Sequence, residues 1–365
     1  MKRSNNKIIL TGGHAGTTAL SVIEEIKNKK LNWEIHWIGP KNAMEGKRSL
    51  SLEFKYFSKL NVKFHSIIFG KLQRKFSVWT VLSLFKIPVG FVQALYFLIK
   101  IKPFIVFSFG GFASFPVVIL SKLFKIPVLI HEQTVVAGRA NILSAKFADK
   151  ILLSRAVSEP YFPKDKCIVV GNPILAQYFK DNMNLQKSDR KTLFIVGGSR
   201  GSQQINKLIK QILEKLLDKY NIIHITGELD YNEFNKIKSN LSIGRSKYYS
   251  LFSSVDPYKM LTIYNQVDLV ICRAGANTVS ELIALGKPTI FIPIPFSYLN
   301  EQKENAQYAS KYIPTVILNQ DNLSSKKVLD GIEYLVNSNQ PVKKNNYLDK
   351  EASKKIVILL NKYFK

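Results

Sequence analysis

The chain has 365 residues, of which 46% are hydrophobic and 22% are charged. This composition excludes an intrinsically disordered protein, and the length favours two globular domains over one. Lys and Arg number 53 against 26 Asp and Glu, which gives a net charge of +27. A charge of this size predicts an acidic partner, such as nucleic acid, anionic lipid or a phosphorylated substrate, unless it reflects only a general lysine bias.

Other features of the composition narrow the class of protein. The basic residues are spread along the chain without an RRM, zinc-finger or helix-turn-helix signature, so no nucleic-acid partner is expected. Cys167 and Cys272 lack metal-ligand spacing, and Cys272 ends an apolar run, which predicts a buried free thiol in a reducing cytosol. The N-terminus lacks the apolar region of a signal peptide. Glycine and proline interrupt the apolar stretches 87–99 and 103–120, so neither offers the ~20 continuous apolar residues of a spanning helix.

One arrangement, an apolar strand followed by glycine and then a helix, occurs four times along the chain. The four segments are KIILTGGHAGTTALSVIEEI, FIVFSFGGFASFPVVIL, TLFIVGGSRGSQQINKLI and DLVICRAGANTVSELIAL. Strands that alternate with helices predict an α/β fold with parallel sheets. We therefore predict two Rossmann-like domains facing a cleft, over residues 1–172 and 173–344, with a C-terminal helix, 345–365, that packs back on the first domain.

The third segment carries the glycine loop with the strongest indication of a ligand. A strand that ends at glycine and turns directly into a helix leaves backbone N–H groups unpaired beside the positive end of the helix dipole, which favours a phosphate. Gly197 and Gly198 would let the ligand approach, and Ser199 adds a hydroxyl. The alternative is a tight turn that binds nothing. A nicotinamide dinucleotide site is disfavoured, because G-x-G-x-x-G is absent and no Asp or Glu follows the second strand.

The fourth segment and the later stretch NEQKENA add polar side chains. Glu281 has two interpretations: it closes a capping box that begins at Thr278, or it lies on the first helical turn and accepts both hydroxyls of a ribose. Glu301, Gln302 and Asn305 could recognise sugar hydroxyls, or could simply form an exposed helix start.

Taken in order, these motifs resemble those of the MurG family of peptidoglycan N-acetylglucosaminyltransferases, which belong to glycosyltransferase family 28 and have the GT-B fold. The resemblance covers nearly the whole chain. Its motifs are TGGH, FSFGGFASFP, HEQTVVAGRAN, VVGNPI, VGGSRGSQQIN, CRAGANTVSE and NEQKENA. Thr134, Leu175 and Glu301 depart from it, since the family usually has Asn, Arg and Gln at these positions.

The resemblance implies a substrate for each domain. The second domain would bind UDP-N-acetylglucosamine, with Ser199 and Arg200 at the diphosphate, Pro257 at the uracil and Glu281 at the ribose. Further donor contacts are implied for Thr11, Gly12, Gly13, Thr134, Arg273, Ala276, Asn277 and Gln302. His14 is the implied catalytic residue, as a general base or diphosphate ligand; a helix cap is the alternative.

The implied reaction is attack of the muramyl C4 hydroxyl of lipid I on the anomeric carbon of the donor sugar, with inversion and with UDP as leaving group. No cofactor is implied, and the absence of an Asp-x-Asp motif favours a metal-independent mechanism. Three alternatives stay open: a related transferase with a diacylglycerol acceptor, a UDP-sugar epimerase of the same architecture, and a non-catalytic nucleotide- or polyanion-binding protein.

A basic and aromatic stretch predicts membrane contact. Trp with Lys and Arg beside apolar residues is typical of a peripheral protein on an anionic bilayer, and the stretch lies where the family keeps its membrane patch. The predicted patch comprises Lys71, Arg74, Lys75, Phe76, Trp79, Leu82 and Phe85. We expect a peripheral protein on the cytoplasmic face of the membrane, with proteins of cell-wall synthesis as candidate partners. A buried helix with solvated lysines is the alternative.

Overall fold

The structure is a computed structural model. It describes residues 6–13, 15–42, 50–68, 78–180, 189–198, 201–338, 340–342 and 347–364, with the backbone alone for 78–85 and 347. The chain divides into two compact units, one formed by Met1–Leu175 with Tyr347–Lys365 and the other by Ala176–Asn346. Element labels below follow the chain order.

The first unit contains a seven-stranded parallel sheet with the strand order β3-β2-β1-β4-β5-β6-β7. The strands are β1 (Lys7–Thr11), β2 (Glu34–Gly39), β3 (Lys63–Ser66), β4 (Ile105–Ser108), β5 (Val128–Glu132), β6 (Lys150–Leu153) and β7 (Cys167–Val169). The central strands are mainly apolar runs, and every residue of β4 and β5 is buried, including the polar residues at their ends. Such runs are expected where helices cover both faces of a parallel sheet.

The helices of this unit are α1 (Gly16–Asn28), α2 (Leu52–Phe57), α3 (Val78–Ile101), α4 (Phe115–Leu123) and α5 (Arg139–Ala145), and, from the end of the chain, α13 (Tyr347–Lys350) and α14 (Ala352–Asn361). The buried face of α3 presents Gly90, Ala94, Leu98 and Ile101, spaced three or four residues apart. This spacing turns one side of a helix toward the sheet.

The C-terminal segment is fastened to the first unit by buried polar contacts. The Arg155 guanidinium, which follows β6, donates from Nη2 to Asp349 Oδ2 at 2.7 Å. The backbone N–H of Asn172 donates to Asp349 Oδ1 at 2.8 Å. Ser353, on α14, lies 2.6 Å from the hydroxyl of Ser21 on α1. The prediction that the C-terminal helix packs back on the first domain is therefore confirmed.

The second unit contains a six-stranded parallel sheet with the order β10-β9-β8-β11-β12-β13. The strands are β8 (Thr192–Val196), β9 (Asn221–Ile225), β10 (Tyr249–Phe252), β11 (Leu269–Cys272), β12 (Thr289–Phe291) and β13 (Thr315–Ile317). The helices are α6 (Gln203–Lys219), α7 (Tyr231–Asn240), α8 (Ile243–Ser246), α9 (Met260–Gln266), α10 (Ala276–Leu285), α11 (Glu301–Ala309) and α12 (Ser325–Val336). Cys272 is a buried free thiol, as predicted.

The four glycine loops follow the strands on either side of the two points where the strand order reverses. In the first sheet these strands are β1 and β4, and in the second they are β8 and β11. Open α/β sheets bind ligands outside the carboxyl ends of the strands at such reversal points. Each sheet therefore places its glycine loops at the expected binding position, and the predicted α/β fold with Rossmann-like units is confirmed.

None of the helices that the structure describes combines the length and the apolarity needed to cross a bilayer.

Candidate active site

Glu281 is a buried carboxylate on α10, at the carboxyl edge of the second sheet. Only 8% of its surface is exposed. Tyr264 Oη donates to Glu281 Oε2 at 3.3 Å. Burial raises the pKa of Glu281 to about 8, because removal from water disfavours the charged form. A carboxyl group of this kind can change its ionisation when a ligand brings hydrogen-bond donors to it.

Two sequence-based placements of Glu281 are wrong. The helix begins at Ala276 with Gly275 as its N-cap, and no side chain caps it. Thr278 is therefore the third residue of the helix, so the predicted capping box does not form. Glu281 is the sixth residue and lies on the second turn instead of the first. The error arises because Gly275 adopts the extended conformation of an N-cap residue, with φ −69° and ψ 148°, without a side chain to signal it.

Arg273 and Ser202 connect the third and fourth glycine loops. Arg273 Nη2 donates to Ser202 Oγ at 2.9 Å, and Nη1 donates to the carbonyl oxygen of Ile292 at 2.7 Å. Ser202 is also the N-cap of α6, and its Oγ accepts from the backbone N–H of Ile205 at 3.4 Å. Arg273 is half-buried, and this burial lowers its pKa from the usual value.

A buried polar network holds the first turn of α6 against β9. Asn206 Nδ2 donates to the carbonyl oxygen of Thr226 at 2.8 Å and to Asp230 Oδ2 at 2.6 Å. His224 Nε2 lies 3.0 Å from Asn206 Oδ1, and His224 Nδ1 lies 3.0 Å from the hydroxyl of Tyr249. Burial lowers the pKa of His224 to about 3, so the imidazole is neutral and serves the network as a structural residue.

The predicted sugar-recognition residues of α11 have different surroundings. Asn305 is buried, and its Nδ2 donates to the carbonyl oxygen of Ala274 at 3.1 Å, which ties α11 to the end of β11. Gln302 is half-buried; its Oε1 accepts from the backbone N–H of Ile294 at 3.1 Å. Ala276 and Asn277 are the first two residues of α10.

Pro257 is buried where a short 3-10 turn, Pro257–Lys259, begins. Its carbonyl oxygen accepts from Gln177 Nε2 at 3.5 Å, and Asp256 caps the turn by accepting from the backbone N–H of Tyr258 at 2.9 Å. This turn follows β10 and leads into α9, which carries Tyr264.

In the first unit, the groups around the first glycine loop bind mainly to one another. Thr11 Oγ1 donates to the carbonyl oxygen of Ile38 at 2.8 Å, and the N–H of Gly13 donates to the carbonyl oxygen of Gly110 at 3.0 Å. Gly12 is buried, and a Cβ there would lie 3.2 Å from the Cβ of Phe109. The first two glycine loops are thus joined directly.

Two buried glutamates support the loops of the first unit. Glu53, on α2, is 2% exposed and accepts from the backbone N–H of Ala15 through Oε1 at 3.0 Å, directly before α1. Glu132 ends β5, and its Oε2 accepts from the N–H of Gly138 and from Asn141 Nδ2, both at 2.9 Å. Neither glutamate was predicted as a site residue, although Glu132 belongs to the motif HEQTVVAGRAN.

Thr134 belongs to the same loop as Glu132. Its backbone N–H donates to Glu132 Oε1 at 3.1 Å, and its hydroxyl lies 2.9 Å from the same oxygen and also contacts the carbonyl oxygen of Val136. The hydroxyl therefore contributes to the shape of the loop. The predicted contact between Thr134 and the donor stays a prediction.

Several predicted site residues lie outside the described residues: His14, Ser199, Arg200, Lys71, Arg74, Lys75 and Phe76. Trp79, Leu82 and Phe85 lie on α3, where the structure describes the backbone alone.

Comparison with known proteins gives the family. The glycosyltransferase family 28 N-terminal domain matches residues 8–153, and the C-terminal domain of the same family matches residues 192–359. A relative from Clostridium tetani is 34% identical over 370 residues, which cover 98% of this chain and 98% of its own. The chain belongs to glycosyltransferase family 28. As a member of that family it is an enzyme that transfers a hexose from a nucleotide sugar, as the sequence predicted.

The Clostridium tetani relative is named UDP-N-acetylglucosamine–N-acetylmuramyl-(pentapeptide) pyrophosphoryl-undecaprenol N-acetylglucosamine transferase. The crystal structure of Acinetobacter baumannii MurG is similar over 98% of this chain and 99% of its own, with a TM-score of 0.67 and 21% identity. The Methanocaldococcus jannaschii UDP-GlcNAc 2-epimerase, solved with UDP-GlcNAc and UDP, is similar over 97% of this chain and 99% of its own, with a TM-score of 0.66 and 15% identity. At these identities the structural likeness shows the GT-B fold alone.

Proposed function

We propose that this family 28 enzyme transfers N-acetylglucosamine from UDP-N-acetylglucosamine to the muramyl C4 hydroxyl of lipid I and so forms lipid II. The observation that carries the proposal is the 34% identity, over 98% of both chains, to a relative named for this transfer. The resemblance in fold to an epimerase does not weaken it, because that similarity rests on 15% identity.

The donor is assigned to the second unit. The amides of the third glycine loop, with Ser199 and Arg200, bind the diphosphate, and the turn at Pro257 receives the uracil. Glu281 accepts the ribose hydroxyls, for which its burial and its position on α10 are suited. Ala276, Asn277 and Gln302 contact the hexose. Support for these roles comes from their common location at the carboxyl ends of β8, β10, β11 and β12.

The chemistry requires stabilisation of the leaving group. Negative charge builds on the diphosphate as the glycosidic bond breaks, and amides already oriented at a helix start stabilise it without reorganising. In our proposal His14 removes the proton from the attacking hydroxyl, since an imidazole can act as a base near neutral pH. No step calls for a cofactor or a metal ion.

The lipid acceptor places the enzyme at a membrane. We assign peripheral binding at the cytoplasmic face to the predicted patch, residues 71–85, and to the adjoining surface of α3. On that helix Val89, Val92, Tyr96 and Ile99 are between 44% and 66% exposed. They are spaced by three or four residues and so form one apolar stripe opposite the buried face. An exposed stripe of this kind, with Lys100 beside it, suits an anionic bilayer.

The decisive experiment supplies purified protein with radiolabelled UDP-N-acetylglucosamine and a short-chain lipid I analogue. We expect a labelled disaccharide lipid, with UDP released in equal amount. Diacylglycerol in place of lipid I should give no labelled lipid. A control reaction without acceptor should leave the donor unchanged, since its conversion would identify an epimerase.

A variant distinguishes activity of this protein from activity of a contaminating enzyme. Glu281→Gln keeps the size of the side chain but removes a carboxylate oxygen from the proposed ribose contact, so the KM for the donor should rise by about tenfold or more. An unchanged KM in this variant, or a wild-type protein without lipid product, would contradict the assignment.

A further inference from the structure

The Arg273 side chain joins three elements at the carboxyl edge of the second sheet. It directly follows β11. Its Nη1 donates to the carbonyl oxygens of Ile292 and Pro293, at 2.7 and 3.2 Å, which lie just beyond β12. Its Nη2 donates to Ser202 Oγ at 2.9 Å, at the start of α6. One guanidinium thus connects the end of β12 with the start of α6, the helix that follows the third glycine loop.

The backbone next to Ser202 leaves little room for displacement. A Cβ at Gly197 would lie 2.2 Å from the backbone nitrogen of Ser202. Gly201 has a φ of +75°, and a Cβ there would lie 2.2 Å from the carbonyl oxygen of Thr226. The backbone at Gly197 and Gly201 therefore approaches neighbouring backbone closely, so a shift of Ser202 would require these two glycines to move as well.

The hydroxyl of Ser202 has a defined orientation. Its oxygen accepts from Arg273 Nη2 and, at 3.4 Å, from the backbone N–H of Ile205. A serine hydroxyl has two acceptor positions and one proton, and both acceptor positions are used. Among the residues that the structure describes, the hydroxyl donates to no protein acceptor. Its proton is thus left for a group outside the described protein atoms, such as a phosphate oxygen.

We infer that Arg273 is a positioning residue of the donor site, which acts through Ser202 to hold Gly201 and the start of α6 in the arrangement that binds the donor diphosphate. The inference rests on the proposed function. Arginine suits the role because its planar guanidinium keeps its charge and offers several donors in fixed directions. A lysine could not reach Ile292, Pro293 and Ser202 together.

The test compares two ligands that differ only in the diphosphate. Binding of UDP and of uridine is measured by calorimetry at pH 7.5 for the wild type, Arg273→Lys, Ser202→Ala and the double variant. Arg273→Lys should lower the affinity for UDP about tenfold, which is the effect of one lost charge-assisted hydrogen bond. The affinity for uridine should stay nearly unchanged. Ser202→Ala should have a similar selective effect. The double variant should bind UDP as tightly as the single variant with the lower affinity, because both substitutions remove the same contact between Arg273 and Ser202.

Arg190→Lys is the matched control. Arg190 donates from Nη2 to the carbonyl oxygen of Leu217 at 2.6 Å, at the opposite end of α6, so its replacement should leave the preference for UDP over uridine intact. If Arg273 had only a general structural role, its replacement would weaken the binding of uridine and UDP alike. If Arg273 and Ser202 acted independently, the effects of the two single substitutions would add in the double variant. Either result overturns the inference. A wild-type protein that does not prefer UDP over uridine would overturn the proposed donor site as well. If Arg273→Lys does not fold, Ser202→Ala tests the same contact by itself.

Discussion

At the scale of single residues, buried carboxylates are the most informative feature of this enzyme. Glu53 and Glu132 accept hydrogen bonds from backbone N–H groups of neighbouring loops, and Glu132 also accepts from Asn141. Burial raises the pKa of both Glu132 and Glu281, but Glu281 differs in its donor, because it accepts a hydrogen bond from the hydroxyl of Tyr264. Burial without strong donors keeps a carboxyl group protonated to higher pH, and ligand donors can reverse this.

Glu281 predicts a pH dependence of donor binding. With a pKa of about 8, its carboxyl group is mostly protonated at pH 7 in the free protein. In the proposed site the ribose hydroxyls donate to the ionised form. Affinity for UDP-N-acetylglucosamine should therefore rise with pH and level off above about 8, with a slope approaching a factor of about ten per pH unit below that value. Binding should release a proton, measurable by calorimetry in buffers of different ionisation enthalpy.

Glu281→Gln is the control for this prediction, since an amide does not titrate and its binding should not vary over the same pH range. UDP-N-acetylglucosamine is preferred to UDP as the probe, because a terminal phosphate titrates near pH 6. An affinity of the wild type that is constant between pH 6 and 8.5 would contradict the role of Glu281.

At the scale of elements, α3 has two apolar sides with different surroundings. Its buried side, with Ala94 and Leu98, packs on the first sheet, while its other side is apolar and exposed. The exposed side of a helix in a soluble protein is ordinarily polar. The exposed apolar stripe is the observation on α3 that supports the proposed binding at a membrane surface.

The exposed stripe predicts a loss of membrane binding on substitution. Val92→Glu with Tyr96→Glu places two negative charges on the most exposed part of the stripe, which opposes both burial in the headgroup region and attraction to anionic lipid. We expect co-sedimentation with vesicles rich in phosphatidylglycerol to fall by about tenfold.

Ile243→Glu is the matched control for the stripe. Ile243 is 91% exposed on the second unit, so its substitution also adds a negative charge at an apolar surface position. Vesicle binding should change little in this variant. Equal vesicle binding by the wild type and the double variant would show that α3 is not part of a membrane-binding surface.

At the scale of the whole molecule, the chain crosses between its two units twice, near Leu175 and Asn346. Close to these crossings, Asp349 binds both the Arg155 guanidinium and the backbone of Asn172. The side chains of Arg155 and Asp349 are 4% and 0% exposed. A buried pair of this kind holds the two crossing segments to the first unit.

Removal of that carboxylate predicts a large loss of stability. Asp349→Ala leaves the buried guanidinium without its carboxylate, so the free energy of unfolding of the first unit should fall by about 3–5 kcal/mol. All three tryptophans, at positions 33, 37 and 79, belong to this unit, so urea unfolding followed by tryptophan fluorescence reports on it. Glu233→Ala, which removes an exposed ion pair with Lys210 in the other unit, should leave the transition unchanged. A small effect of Asp349→Ala would show that the other contacts of the C-terminal segment, such as Ser353 with Ser21, hold it without this ion pair.

The sequence was a good guide to local structure and to the family. The apolar runs and the glycines that end them predicted the four βα units, and those runs became β1, β4, β8 and β11. Cys272 was correctly placed in a buried strand. The start of α10 was misplaced, because Gly275 caps it through its backbone conformation and no side chain marks the position.

The sequence by itself thus determined the order of strands and helices, the positions of the glycine loops and the membership of family 28, since these depend on neighbouring residues and on motifs. Only the tertiary structure decided the partners of the polar side chains. Arg273 meets Ser202 across 71 residues and Arg155 meets Asp349 across 194. Such contacts depend on the spatial order of the strands, in which β11 lies beside β8 and the C-terminal segment returns to the first unit. Periodicity reports which side of an element is buried, but not which distant group will lie against it.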